Sequence, residues 1–145
     1  MIPLAFHVLG IPQPQGSKTA GKRKDGTPYV RDSNAVRLKP WRETVSIHAR
    51  NAVVRHGSWT PLESGVIVNL RFYFARPASV PQRRRPNMTV TPDIDKLTRA
   101  ILDSMTSARV YADDAKVIEL HVYKRYADEQ APGVFVTVEE AGAPE

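Results

Sequence analysis

The chain has 145 residues, of which 41% are hydrophobic and 25% charged, and its formal net charge at pH 7 is +6. This length fits a single domain spanning residues 1–145, with no room for a second domain of typical size. Cysteine is absent, which excludes disulfides, thiolate metal sites and cysteine nucleophiles. The start of the chain lacks the basic segment of a signal peptide and no apolar run reaches bilayer length, so we expect a cytoplasmic protein without a membrane partner.

The chain begins with a predicted strand and continues into a basic loop. Residues 2–10 alternate between apolar and polar positions, and prolines and a glycine then end the strand. Residues 18–39 form a polar segment rich in lysine and arginine, which we interpret as a mobile exposed loop. An Asp-Gly pair at Asp25 predicts a small hairpin inside it. The apolar residues on one face of the first strand are Leu4, Phe6 and Val8.

A helix and a long strand follow. The helix is predicted to begin at Pro40, since proline suits a first helical turn, and to end at about Arg55, before the stop signal of Gly57. Residues 65–77 alternate at period two and are the clearest strand of the chain. The predicted buried positions are Trp41, Val45, His48 or Ala49, and Ala52 in the helix, and Val66, Val68, Leu70, Phe72 and Phe74 in the strand.

The second half of the chain predicts a loop, a helix and two strands. Residues 76–92 carry prolines and arginines, which indicate a long exposed loop. The next helix has a buried stripe of Ile94, Leu97, Ile101 and Met105. Two strands at 116–126 and 133–140 are predicted to form an antiparallel hairpin, and residues 139–145 a frayed tail.

This order of elements indicates the α+β class. We predict a single domain in which two main helices pack on a mostly antiparallel, mixed β-sheet.

Four aspartates are concentrated at the second helix and just beyond it. Asp93 and Asp95 flank the start of the helix, and Asp113 and Asp114 precede the next strand. Carboxylates at this spacing repel one another and oppose folding, so a cation should share the site. Oxygen ligands favour a hard ion, Mg²⁺ or Mn²⁺. On a basic protein, such a pocket is typical of a metal-dependent nuclease, whose cationic side chains hold the nucleic acid backbone while the ion acts on one phosphate.

A structural interpretation of the same aspartates stays open at this point. Acidic residues in a first helical turn interact favourably with the helix dipole, by about 0.3 to 1 kcal/mol each. Asp95 and Arg99 have the i, i+4 spacing of an ordinary surface ion pair, and either of Asp113 and Asp114 could be a turn former.

The segment "PDIDKLTRAILDSMTSARVYADDAKVIELHVYK", residues 92–124, resembles the core motif of RusA-type Holliday junction resolvases. The early "GIPQPQGSK" is similar to the segment that follows the first strand of that family. The resemblance implies a RusA-like fold and a small homodimeric endonuclease, usually encoded by phages or prophages. It also implies that a divalent metal, Mg²⁺ with Mn²⁺ as a possibility, is used to nick four-way DNA junctions symmetrically during recombination and repair.

The resemblance also implies roles for individual residues. Asp93 and Asp95 match the paired essential aspartates, and Asp114 matches the third, with Asp113 beside it; we take these four as metal-ligand candidates. An essential lysine of the family falls on Arg99, which stays protonated and so could hold a phosphate but could not be a general base. The other candidates for a catalytic cation are Lys96, one turn from Asp93, and Lys124, while Asp103 matches a helix-end aspartate that we interpret as structural.

Basic residues in the two loops are candidates for DNA contacts that would make binding depend on salt concentration. The four histidines, at positions 7, 48, 56 and 121, have no ligand spacing, and we interpret Trp41, Trp59 and Tyr73 as core or partly buried aromatics. The predicted DNA-binding residues are Lys18, Lys22, Arg23, Lys24, Arg83, Arg84 and Arg85.

Two alternatives to junction resolution remain. One is a metal nuclease that acts on forks, flaps or other branched phage DNA. The other is a basic DNA-binding module without catalytic activity, which would bind DNA in a salt-dependent way and would show no Mg²⁺-dependent nicking.

Overall fold

A computed structural model describes residues 2–16, 18–32 and 34–144, without the side chains of residues 18, 19, 31 and 32. It confirms an α+β domain with two helices and a mixed sheet. No helix in these ranges is long and apolar enough to cross a membrane. The elements are β1 (Leu4–Leu9), β2 (Lys18–Lys22), β3 (Pro28–Asp32), α1 (Ala35–His56), β4 (Val66–Phe74), α2 (Ile94–Ser107), β5 (Val117–Tyr126) and β6 (Gly133–Glu140).

The main sheet has the strand order β1-β6-β4-β5. β6 pairs antiparallel with both β1 and β4, whereas β5 pairs parallel with β4. The predicted hairpin of β5 with β6 is therefore wrong, because β4 lies between them. The reason is the helix that connects β4 to β5: α2 packs on the sheet and returns the chain parallel to β4, and a parallel neighbour requires such a crossover. β6 then fills the central position, where Val134, Val136 and Val138 are buried.

Both helices pack on the sheet, as predicted, and the structure places them on the same face. The core includes the alternate residues of β4 from Val66 to Phe74, the α1 residues Trp41, Val45, Ala49 and Ala52, and Leu97, Ile101 and Met105 of α2. Ser46 of α1 donates to the backbone oxygen of Ser104 in α2 at 3.0 Å, so small side chains let the two helices approach closely. Ile94 departs from the prediction, since it is 39% exposed at the first turn of α2.

Helix α1 begins earlier than predicted. It starts at Ala35, and Pro40 lies inside it rather than at its first position. Pro40 is therefore past the unpaired first turn, and α1 lacks the hydrogen bond that an amide at this position would donate to the backbone oxygen of Val36. At the other end, Gly57 adopts the left-handed conformation with φ 83°, which confirms the predicted stop.

The predicted basic loop of 18–39 is an ordered hairpin followed by the first turn of α1. β2 and β3 pair antiparallel around Asp25 and Gly26, as the Asp-Gly pair predicts, and the amide of Thr27 donates to the Asp25 carboxylate at 2.9 Å. The predicted tail also starts later than residue 139, because β6 continues to Glu140 and Ala141 donates to the backbone oxygen of Gly65 at 2.8 Å.

Candidate active site

A groove of about 420 Å³ lies between α2 and the edge strand β5. α2 packs one face on the sheet, and the side of the helix next to this buried face borders the groove. β5 contributes the side chains that alternate toward the helix side of the sheet. The groove is lined by Ile94, Asp95, Thr98, Arg99, Leu102, Asp114, Leu120 and Val122.

The groove brings together two of the predicted metal ligands and one predicted cation. Asp95 is on the first turn of α2, and Asp114 begins the short 3-10 turn Asp114–Lys116 that leads into β5. Arg99 lies one helical turn after Asp95 and lines the same groove. In the part of the chain that the structure describes, Asp95 forms no ion pair with Arg99 within 4.0 Å. The surface-pair interpretation therefore does not account for Asp95.

The two neighbouring aspartates differ in what they contact. Asp113 precedes the 3-10 turn, and its carboxylate accepts the amide of Ala115 at 3.4 Å, which is the bond of a capping residue. Asp114 faces the groove. The turn-former interpretation thus fits Asp113, whereas Asp114 is the residue of this pair that faces Asp95.

Asp93 occupies the N-cap position of α2, but its carboxylate forms no capping hydrogen bond within the described residues. It pairs instead with Lys96, at 3.7 Å between Oδ2 and Nζ. Both side chains are substantially exposed, at 54% for Asp93 and 39% for Lys96. An exposed pair of this kind contributes little to stability and does not fix either side chain in one position.

Lys124 lies beneath the segment that leads into α2. It is on the helix-side face of β5, and its ammonium donates to the backbone oxygens of Val90 at 2.6 Å and Pro92 at 2.8 Å. The residue after Pro92 is Asp93. Lys124 thus fixes the backbone that presents the first aspartate, and its partners in the described chain are carbonyls rather than carboxylates.

The donor atoms of the groove suit a hard divalent cation. Mg²⁺ is usually held by one or two carboxylates, with waters and substrate phosphates at its other positions, and Asp95 with Asp114 supplies such a pair. Among the described residues, no three carboxylate or histidine side chains form a ready ligand cluster. Asp93 is a near neighbour of Asp95 on the chain, but it is not among the side chains that line the groove.

The predicted DNA-binding residues lie on two separate surfaces. Lys22, Arg23 and Lys24 are exposed at the tip of the β2–β3 hairpin. Arg83 and Arg84 are exposed in the loop after β4. Arg85 is half-buried and donates to the hydroxyl of Tyr126 at 3.2 Å, so it has a structural contact. The side chain of Lys18 lies outside the described residues.

The loop 76–92 is anchored to the domain by a residue that the sequence analysis missed. Arg76 forms a bidentate pair with Asp128, at 2.8 and 3.0 Å, and donates to the backbone oxygen of Arg85 at 2.6 Å. Its hydrogen bonds with Asp128 raise the pKa of Arg76 and lower that of Asp128. The guanidinium also lies 4.2 Å from the ring centre of Tyr126. No sequence signal marks this pair, because 52 positions separate the two residues.

The interpretation of the two tryptophans as core aromatics agrees with the structure. Trp41 and Trp59 are buried, and the indole of Trp59 donates to the backbone oxygen of Val110 at 2.9 Å. His48 and His56 contact backbone oxygens, and no described histidine belongs to a metal-ligand group. Tyr111, two positions before Asp113, is fully buried, and its hydroxyl donates to the backbone oxygen of Leu102. Burial raises the pKa of Tyr111.

Two comparisons with known proteins bear on this site. A family model described as "Endodeoxyribonuclease RusA" matches residues 10–139, which include the groove and both basic surfaces. A relative named "Uncharacterized protein YqaN", from Bacillus subtilis (strain 168), is 26% identical over 149 aligned positions, which cover 97% of this chain and 98% of the relative.

Proposed function

The chain belongs to the endodeoxyribonuclease RusA family, and we propose that it is a metal-dependent, structure-specific endonuclease that resolves four-way DNA junctions by symmetric nicking. Family membership indicates endodeoxyribonuclease activity. Junction specificity, metal dependence and a homodimeric active form belong to the proposal. The observation that supports it most directly is the groove that places Asp95, Asp114 and Arg99 together.

The acidic and basic residues of the groove have different proposed roles. Asp95 and Asp114 would hold one Mg²⁺ or Mn²⁺ ion, with Asp93 close enough on the chain to add an oxygen once DNA is bound. A bound ion of this kind polarises the scissile phosphate and lowers the pKa of the attacking water. Arg99 carries a permanent positive charge and would contact the phosphate as negative charge builds up on it. Cleavage would leave a 5′-phosphate and a 3′-hydroxyl.

The other predicted cations have supporting positions. Lys124 holds the backbone at Val90 and Pro92, so we assign it the positioning of Asp93 rather than proton transfer. Lys96 pairs with Asp93 and is available to a phosphate when that pair opens. The exposed residues Lys22, Arg23, Lys24, Arg83 and Arg84 would contact the DNA backbone outside the groove.

The test of this proposal is Asp95→Asn. The substitution keeps the size of the side chain and removes the charge that holds the ion, so we expect Mg²⁺-dependent cleavage of a four-way junction to disappear while junction binding persists. Isothermal titration with Mn²⁺ should show weaker metal binding for Asp95→Asn and for Asp114→Asn. The matched control is Asp113→Asn, whose carboxylate accepts a backbone amide, and it should keep most of the metal affinity.

Three DNA substrates separate the proposed function from its alternatives. Cleavage of a four-way junction, a replication fork and a linear duplex is compared in Mg²⁺. Preference for the junction supports resolution, and preference for the fork indicates a nuclease of different specificity. Salt-dependent binding of all three without nicking would identify a non-catalytic DNA-binding module.

A further inference from the structure

The face of the main sheet opposite the helices has no covering in the described chain. Its side chains come from alternate positions of four strands, and the strand pairing places them in rows. One row contains His7, Phe135, Arg71 and Tyr123.

This face is aromatic and basic at one end. The rings of His7 and Phe135 stack with 3.8 Å between their centres. The hydroxyls of Tyr73 and Tyr123 are 2.7 Å apart, and the guanidinium of Arg125 lies 3.8 Å from the ring centre of Tyr123.

The other end of the face is acidic and apolar. The pairing places Glu139 and Glu119 on either side of Ile67. Next to them is Ile118, which is 67% exposed and whose side chain passes close to Gly65. Between the two ends lies a row that contains Ala5, Thr137, Asn69 and His121, and the imidazole of His121 lies 3.6 Å from the carboxylate of Glu119.

We propose that this uncovered face is the homodimer interface, formed with a second copy of the chain around a twofold axis that runs across the strands at the row of Asn69. The proposal rests on the homodimer of the proposed function and identifies its surface. In an isologous interface the same patch meets itself. This axis reverses the strand direction, so the Arg71 row of each copy meets the Glu119 and Glu139 row of the other.

Charge and shape select this axis over the alternative. A twofold axis along the strands would bring Arg71 rows together and glutamate rows together, which like-charge repulsion opposes. The proposed axis also sets the row of Tyr73 against the row of Gly65 and Ile118, so an aromatic side chain meets an exposed apolar one. Sheets packed face to face cross at about 30° and lie about 10 Å apart, so side chains of the two copies would interdigitate across the interface.

The same axis places the two catalytic grooves on the same side of the dimer. It keeps β5 of one copy opposite β5 of the other, so both β5 edges lie on one side of the dimer. Each groove is at a β5 edge. Two identical grooves on one side can act on two symmetry-related strands of a single junction.

A nucleic acid strand fits this face less well. Base stacking needs free aromatic rings, whereas His7 covers Phe135 and Arg125 covers Tyr123. A phosphate backbone would also meet Glu119 and Glu139. These contacts favour a partner with both signs of charge, and a second copy of this chain has both.

The test is a charge exchange between two variants. Arg71→Glu places like charges in the interface, and so does the double variant Glu119→Lys with Glu139→Lys, so each alone should be monomeric. Mixed in equal amounts, the two variants should form a heterodimer. At one of its two charge contacts, the carboxylate introduced at position 71 of one variant faces the two lysines introduced in the other. At the other contact, the native arginine at position 71 faces the two native glutamates. Sedimentation velocity over a concentration series measures this. A face of four strands about 4.8 Å apart is small for a stable interface, so we expect a midpoint in the micromolar range.

The control is Arg50→Glu, a charge reversal on the exposed surface of α1, which should sediment like the wild type. Three results would overturn the inference: a wild-type monomer at every concentration, a dimer that both variants leave intact, or a mixture that stays monomeric. Weaker DNA binding by Arg71→Glu at unchanged mass would also overturn it, in favour of a nucleic acid partner. Mass is measured without DNA or Mg²⁺, so a dimer that never cuts DNA would refute the proposed function and leave the interface standing.

Discussion

The two faces of the main sheet are made by the same strands but have different partners. On the helix side, Val68, Leu70 and Phe72 of β4 are fully buried. On the opposite side, Asn69 and Tyr73 are half-buried and Arg71 is exposed. Strand alternation creates both sets of side chains, but burial by α1 and α2 reaches one set alone.

The difference between the two faces separates residues that stabilise the domain from residues that would bind a partner. The helix-side face supplies the apolar burial that holds the domain together, and its β5 edge carries the acidic groove. The uncovered face contributes aromatic, basic and acidic groups in an arrangement that is complementary to itself. Substitutions on the two faces should therefore affect different measurements.

The largest effect is expected from neighbouring residues of β4 that point to opposite faces. Phe72→Ala removes a fully buried ring and should lower the free energy of unfolding by about 3 to 5 kcal/mol. Tyr73→Ala removes a half-buried ring on the uncovered face and should cost about 1 kcal/mol. Urea denaturation of both, in the Arg71→Glu background to remove any dimer contribution, measures the difference. Equal losses would show that both faces are core.

A smaller effect is expected from Lys124, the cation on the helix side of β5. Lys124→Met removes the two hydrogen bonds to the backbone before Asp93 and should lower junction cleavage about 10- to 100-fold, as is typical for groups that orient metal ligands. The Mg²⁺ concentration for half-maximal cleavage should rise while junction affinity stays the same. Arg55→Met, on the exposed end of α1, is the control. Reduced DNA affinity with an unchanged Mg²⁺ requirement would instead make Lys124 a DNA contact.

The smallest effect concerns His7, on the uncovered face. Burial, and then the nearby charge of His48, lower the pKa of His7 from its ordinary value of 6.5. The unfolded chain therefore binds a proton more readily than the folded protein, so this contribution to stability is present above pH 6.5 and is lost as the pH falls below it. His7→Phe keeps a ring to stack on Phe135 and cannot titrate, so its stability should decline less between pH 7 and pH 5. Identical declines would exclude His7 as the source.

Local patterns predict the elements well, because each depends on residues near in sequence. Period-two alternation locates β4 at Val66–Phe74, and the Asp-Gly pair locates the β2–β3 hairpin. The pairing of β5 does not follow from local sequence patterns. A hairpin with β6 is the simplest local solution, whereas the actual parallel pairing with β4 depends on where α2 packs.

The candidate site shows the same limit. Residues Asp93, Asp95, Asp113 and Asp114 are visible as a cluster in the sequence, but their different contacts are not. The capping bond of Asp113, the groove position of Asp114 and the ion pair of Asp93 all follow from how the 3-10 turn and α2 are placed. Leu120 and Val122 also line the groove, and the alternation of β5 was the available signal for them.

The sequence by itself determined the α+β class, the two amphipathic helices, the acidic segment and the family to which the chain belongs, because these depend on short-range patterns and on residue order. Tertiary structure alone decided the strand order, the anchoring of Arg76 and Lys124, and the existence of an uncovered aromatic and charged sheet face. Those features join residues that are tens of positions apart in the sequence. Contacts between such residues form when α1 and α2 bury their apolar sides on one face of the sheet.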